Sequence, residues 1–203
     1  MKDLFLFFFL VISLNIFAQE DSKGLFTTYY NIKSIETQGY LDKNGEKNGP
    51  WKEFYKSGDL HAQKNYAAGQ LDGSFLILHK DGDTVQSASY LKGKLNGKLT
   101  EYGVDNIKTE VRTYANGQLD GQQIIYYKDG SINEKINWKN GKLNGKLETF
   151  YPDGKPLAVQ QYDMDKPTGD FIIYEKNGVA KIQESFGTGR SNDGEASKSS
   201  STF

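Results

Sequence analysis

The chain has 203 residues, with 25 Lys and Arg against 26 Asp and Glu and a formal net charge of −1, which argues against the basic stripe of a nucleic-acid binder. It has no cysteine, which excludes disulfides, thiolate catalysis and cysteine-based zinc sites. The 13 Tyr, 12 Phe and 22 Gly point to strands and tight turns, because aromatics favour strands and glycine supplies positive φ.

From the N-terminus, Lys2 precedes an apolar run from Leu4 to Leu14, followed by Asn15, Ile16, Phe17 and Ala18. A basic start, a short apolar stretch and a small residue at the cut describe a signal peptide over residues 1–18, cleaved after Ala18. An uncleaved anchor is the alternative, although the run is shorter than the about 20 residues of a membrane span. Under either reading the rest of the chain is exported, to the periplasm, the outer surface or the medium. Residues 19–48 read as a degenerate N-terminal cap. Tyr29, Tyr30 and Ile35 suit a strand, and GEKNG, from Gly45 to Gly49, imitates the connectors that follow.

Residues 49–192 form six units of 24 residues. Gly49, Gly73, Gly97, Gly121, Gly145 and Gly169 keep that step without a slip. So do the columns Phe54, Leu78, Tyr102, Tyr126, Phe150, Tyr174 and Tyr66, Tyr90, Tyr114, Trp138, Tyr162, Phe186. Connectors GQLDG and GKLNG alternate between units. Each unit reads as strand, turn, strand. The pairs Ser57-Gly58, Asp81-Gly82, Asp105-Asn106, Asp129-Gly130, Asp153-Gly154 and Asn177-Gly178 suit two-residue type I′ turns, which need positive φ at both positions. That turn sets Tyr55 opposite Leu60, Glu53 opposite Ala62 and Trp51 opposite Lys64. One face then collects Trp51, Tyr55, Leu60, Ala62 and Tyr66, and later Ile125, Tyr127, Ile132, Ile136 and Trp138. The other face is mostly polar, with the Phe54 column as a spine.

The third unit departs from this pattern. Glu101, Lys108, Glu110 and Arg112 fall on the apolar face, while Val104, Ile107 and Val111 point away. A bulge or register change would restore burial, since a one-residue slip exchanges the faces; a functional notch is the other reading. Residues 193–203 form a Ser-rich tail expected to be disordered.

These columns resemble the membrane occupation and recognition nexus (MORN) repeat, in its bacterial variant form and here on an exported chain. The resemblance rests on the leading Gly, the aromatic strand, the x-x-Gly turn and the closing Y-x-x-G-x-L-x-G, as in GPWKEFYKSGDL (Gly49 to Leu60) and YYKDGSI (Tyr126 to Ile132). It implies an all-β array of antiparallel hairpins forming an elongated, curved single-sheet meander. It also implies scaffolding, protein contacts or lipid association. Bacterial members are sometimes labelled antitoxins of toxin–antitoxin pairs, which normally meet in the cytoplasm.

No catalytic constellation is visible, so an enzyme is not expected, and no cofactor or metal is implied. His61 and His79 fall on opposite faces, and the Asp and Asn beside glycines are explained by turn chemistry. The expected function is an exported, non-enzymatic scaffold for protein–protein interaction, with an unidentified protein partner or self-association and no nucleic acid. Membrane-lipid or envelope-glycan contact through the aromatic columns is the alternative, and an antitoxin-like role a second one. The candidate interaction surface is Trp51, Tyr55, Tyr66, Tyr90, Tyr114, Tyr127, Trp138 and Tyr162. The competing reading of the same residues is internal packing of a rolled sheet.

Overall fold

The computed structural model describes residues 17–20 and 24–187. Most of the expected signal peptide, Gly189 and the Ser-rich tail lie outside the described residues. No described helix is long and apolar enough to cross a membrane.

The protein is all-β, one open antiparallel sheet in which chain order is sheet order. β1 (Phe17–Glu20), β2 (Leu25–Asn31) and β3 (Ser34–Leu41) lead, and β1 crosses the expected cut after Ala18. Then come β4 (Lys47–Phe54), β5 (Leu60–Ala67), β6 (Gln70–Leu78), β7 (Thr84–Leu91), β8 (Lys94–Tyr102) and β9 (Lys108–Ala115). A two-residue β10 (Gln118–Leu119) pairs with β9 just ahead of β11 (Gly121–Tyr126). β12 (Ile132–Lys139), β13 (Lys142–Phe150), β14 (Pro156–Asp163), β15 (Lys166–Tyr174) and β16 (Ala180–Phe186) complete the meander. Each strand packs chiefly on the strands beside it, as expected of a repeat array.

The type I′ turns expected at the hairpin tips are found there in only one unit, and the connectors, for which no turn type was expected, adopt them instead. At the tips, the Tyr55 amide donates to the Asp59 carbonyl (2.9 Å) and the Gly58 amide to Tyr55 (2.9 Å). Of Ser57 and Gly58 only the glycine has positive φ, at 97°. This is a three-residue loop, a type I turn closed by a glycine bulge, and not the expected type I′ turn. The same bonds recur at His79–Asp83, Tyr127–Ser131, Tyr151–Lys155 and Glu175–Val179. Only Asp105-Asn106, with φ of 57° and 56°, has the positive pair expected at the tips. The other type I′ geometry lies at the opposite end of the hairpins. Ala68-Gly69, Lys92-Gly93, Asn116-Gly117, Asn140-Gly141 and Met164-Asp165 are all positive at both residues.

The longer tip loop moves the register beside it. Glu53 faces Ala62 and Trp51 faces Lys64 as expected, but Leu60 pairs with Phe54 and leaves Tyr55 in the loop. The third unit keeps this common register, with Glu101 opposite Glu110 and the usual shift before Tyr102. Its charged residues therefore stay on the face where the pattern puts them, and no extra slip restores burial.

A single layer has almost no interior. Among the described residues only Trp51, Ala62, Ala88, Leu99, Val111 and Ile136 are buried apolar side chains. All but Val111 share the face of Tyr66, Tyr90, Tyr114, Trp138 and Tyr162, called here the tyrosine face. Val111 and Thr100 are buried against each other's strands on the opposite face.

Candidate interaction surface

The tyrosine face is built at the seams between units. Tyr66 pairs with Gly49 on one side and with Leu71, across the type I′ turn, on the other. Tyr90 lies likewise between Gly73 and Leu95, and Tyr162 between Gly145 and Pro167. Tyr114 pairs Gly97 and Leu119, and Trp138 pairs Gly121 and Leu143. Gly49, Gly73, Gly97, Gly121 and Gly145 all hold positive φ, between 76° and 116°, the conformation that favours glycine, and a Cβ on the last four would meet Asn65, Ser89, Thr113 or Asn137 and not the aromatic. These five aromatics are half-buried, each with part of its surface in solvent.

The connector residues have structural work too. The amides of Gly69, Gly93, Gly117, Gly141 and Asp165 donate to the carbonyls of Lys47, Leu71, Leu95, Leu119 and Leu143, at 2.7–3.0 Å. Beside them, Asp72, Asn96, Asp120 and Asn144 accept from the amides of Lys92, Asn116, Asn140 and Met164 at 3.1–3.4 Å. The Asp/Asn alternation in GQLDG and GKLNG follows, since either side chain presents the same oxygen.

At the first unit the face closes over itself. Trp51 is only 2 % exposed, its indole Nε1 donating to the Tyr40 carbonyl at 2.9 Å. Its ring lies against Gly39, 5.9 Å from Phe26 and 6.5 Å from Tyr66 in an edge contact. Lys47 Nζ sits 4.3 Å above the Trp51 ring and 5.0 Å from that of Tyr66. Burial holds the Lys47 ammonium below the usual lysine range, against the pull of Glu53, and burial also raises the Tyr66 phenol. Lys64 bonds Glu53 at 2.7 Å and completes the cluster.

The third unit's charges satisfy one another. Arg112 Nε donates to Glu110 at 2.7 Å, a second bond joins the same carboxylate, and its NH1 lies 3.3 Å from Glu101. The Glu110 hydrogen bond, the largest influence, raises the Arg112 pKa above its ordinary value. Gln123 donates to Glu110, and Trp138 Nε1 donates to Gln123 at 2.8 Å. In place of either a compensating slip or an open notch, the third unit holds a closed polar network that ends on an aromatic of the row.

Tyr55 and Tyr127 lie elsewhere, in the tip loops. The Tyr55 hydroxyl donates to the Leu78 carbonyl (2.9 Å) and that of Tyr127 to Phe150 (2.7 Å), each joining its unit to the next. Tyr151 does the same to Tyr174 at 3.0 Å, and Tyr30 in the leading segment reaches Phe54 at 2.9 Å. His61 stacks on Tyr55 with ring centroids 4.4 Å apart, while His79 occupies the loop position that Tyr55 holds one unit earlier. Among the described residues no three His, Asp or Glu come together as a metal site would require. Sequence reasoning missed the Tyr151 bond and the Arg112 network. The Tyr55, Tyr127, Tyr151 spacing was the available signal for the first, but its acceptor lies 23 residues away.

No curated protein matches the chain. Residues 47–68, 119–140 and 143–164 match the family model described as the MORN repeat variant, each covering a strand, its tip loop and the returning strand. The three matched hairpins are those that carry Tyr55, Tyr127 and Tyr151 at the loop entry, in the same 24-residue frame.

Proposed function

We propose that this protein is an exported, non-enzymatic scaffold that binds a protein partner along the tyrosine face between its second and fifth units. MORN repeats are protein- and membrane-interaction repeats, which fits a scaffold. The observation that carries the reading is the half-buried row Tyr90, Tyr114, Trp138 and Tyr162 on a sheet with no second layer among the described residues. Tyr and Trp offer large contact area at low conformational-entropy cost. Trp51 is not part of this surface, because it is already buried, and Tyr55 and Tyr127 contribute as inter-unit ties.

Site-specific photo-crosslinkers at Gln86 and Thr149, on the tyrosine face, test it in the native envelope. Both should capture one shared protein, and a crosslinker at Lys146 on the opposite face should not. Capture from Lys146 alone, or co-sedimentation of the mature chain with envelope-lipid vesicles and no protein adduct, would overturn the reading.

A further inference from the structure

We propose that a hollow on the opposite face, across β5–β8, binds an acidic saccharide. The hollow has a volume of about 390 Å³, within the range of small-molecule sites and more than a compact oxyanion would fill. Cross-strand pairing sets Gln63, Leu76, Ser87 and Thr100 side by side, with Ser74 beside Ser89 in the adjoining row.

The hollow exists because the side chains here are small. The positions one, two and three units after Gln63 hold Ser87, Val111 and Lys135, and those after Asn65 hold Ser89, Thr113 and Asn137. Ser74 stands in the column that later holds Lys98, Gln122 and Lys146. Three serines therefore coincide only at this place, so the depression is a local feature and not a consequence of the repeat.

Most of its hydrogen-bonding groups are unspent. Ser74 accepts from Asn65 at 2.8 Å, which leaves its hydroxyl proton free to donate, and Ser87 lies 3.5 Å from the Tyr102 hydroxyl. Among the described residues no side-chain partner engages Gln63, Ser89, Thr100 or Lys98. The lining thus offers an ammonium, hydroxyls and an amide, and it contains no carboxylate. That set suits a ligand rich in acceptor oxygens and carrying one negative charge, while Leu76 gives the C–H face of a sugar ring an apolar contact. A uronic acid has that chemistry. This site is independent of the tyrosine face, so either can fail alone.

The test is titration of the isotopically labelled full chain with glucuronate, with glucose and inorganic phosphate as separate arms. Glucuronate should give saturable amide shifts centred on Ser87, Ser89 and Thr100. Ser87→Val copies Val111 and Val159 of the same column, so the array tolerates it, and it should weaken binding about tenfold or more by filling the hollow. Lys98→Gln copies Gln122 and should abolish the preference for glucuronate over glucose. The proposal is overturned if the shifts are absent or unsaturable, if phosphate reproduces them, or if folded Ser87→Val binds as wild type does.

Discussion

Gly39 and Tyr127 show how much single residues carry in a sheet with so small an interior. A Cβ at Gly39 would overlap the Trp51 ring, and among the described residues Trp51 is the one large side chain that is fully enclosed. Gly39→Ala should therefore cost about 1–3 kcal/mol through forced repacking, read as a lower midpoint in chemical denaturation. Tyr127→Phe removes the bond to Phe150 and should cost about 1 kcal/mol, seen in the same assay. The reverse substitution is more informative. His79→Tyr puts a hydroxyl in the column of Tyr55 and Tyr127, whose repeat-equivalent acceptor is the Tyr102 carbonyl, and should stabilise the chain by a similar amount if that carbonyl is presented as Leu78 and Phe150 present theirs. No change in midpoint would mean that the acceptor is not presented in that unit. The column was readable in the sequence, but its purpose was not, because the acceptor belongs to the next hairpin.

Turn chemistry governs the elements. Apart from Asn106 and Asp165, both turn families end in glycine, so the Asp-Gly and Asn-Gly pairs at the tips read equally well as two-residue turns or as the last residues of a three-residue loop. What separates them is which residues pair at the strand ends, a count set across two strands. The tips adopt the three-residue loop, whose type I turn accepts Lys, Ser, Asp or Pro and asks positive φ only of its final glycine. The two-residue turns impose the harsher demand. Met164 sits at φ 47° where Asn116 and Asn140 sit in other units. Asparagine visits this region more readily than methionine, so Met164→Asn should stabilise the fold by up to about 1 kcal/mol. Thermal melting of the single mutant checks the sign: a destabilised protein would refute the turn assignment.

Across the molecule, the array predicts which deletions are harmless. Removing residues 97–120 takes out one full unit and joins Asn96 to Gly121 as Asp120 joins it now. The product should keep its strand circular dichroism and unfold cooperatively, because each unit contacts only its neighbours. Removing residues 97–108 deletes a single strand, reverses every later one, and should abolish the cooperative transition. The sequence by itself determined the 24-residue period, the antiparallel hairpins and the two-faced strands, since those follow from local spacing and from the alternation of side chains. It also placed Glu53 opposite Ala62 and Trp51 opposite Lys64. Only the tertiary structure decided the turn types, the loop position of Tyr55 and Tyr127, the burial of Trp51 over Gly39, and the pairing of Arg112 with Glu101 and Glu110. Each of those depends on atoms brought together from different strands or different units, a relation that periodicity along one chain does not encode.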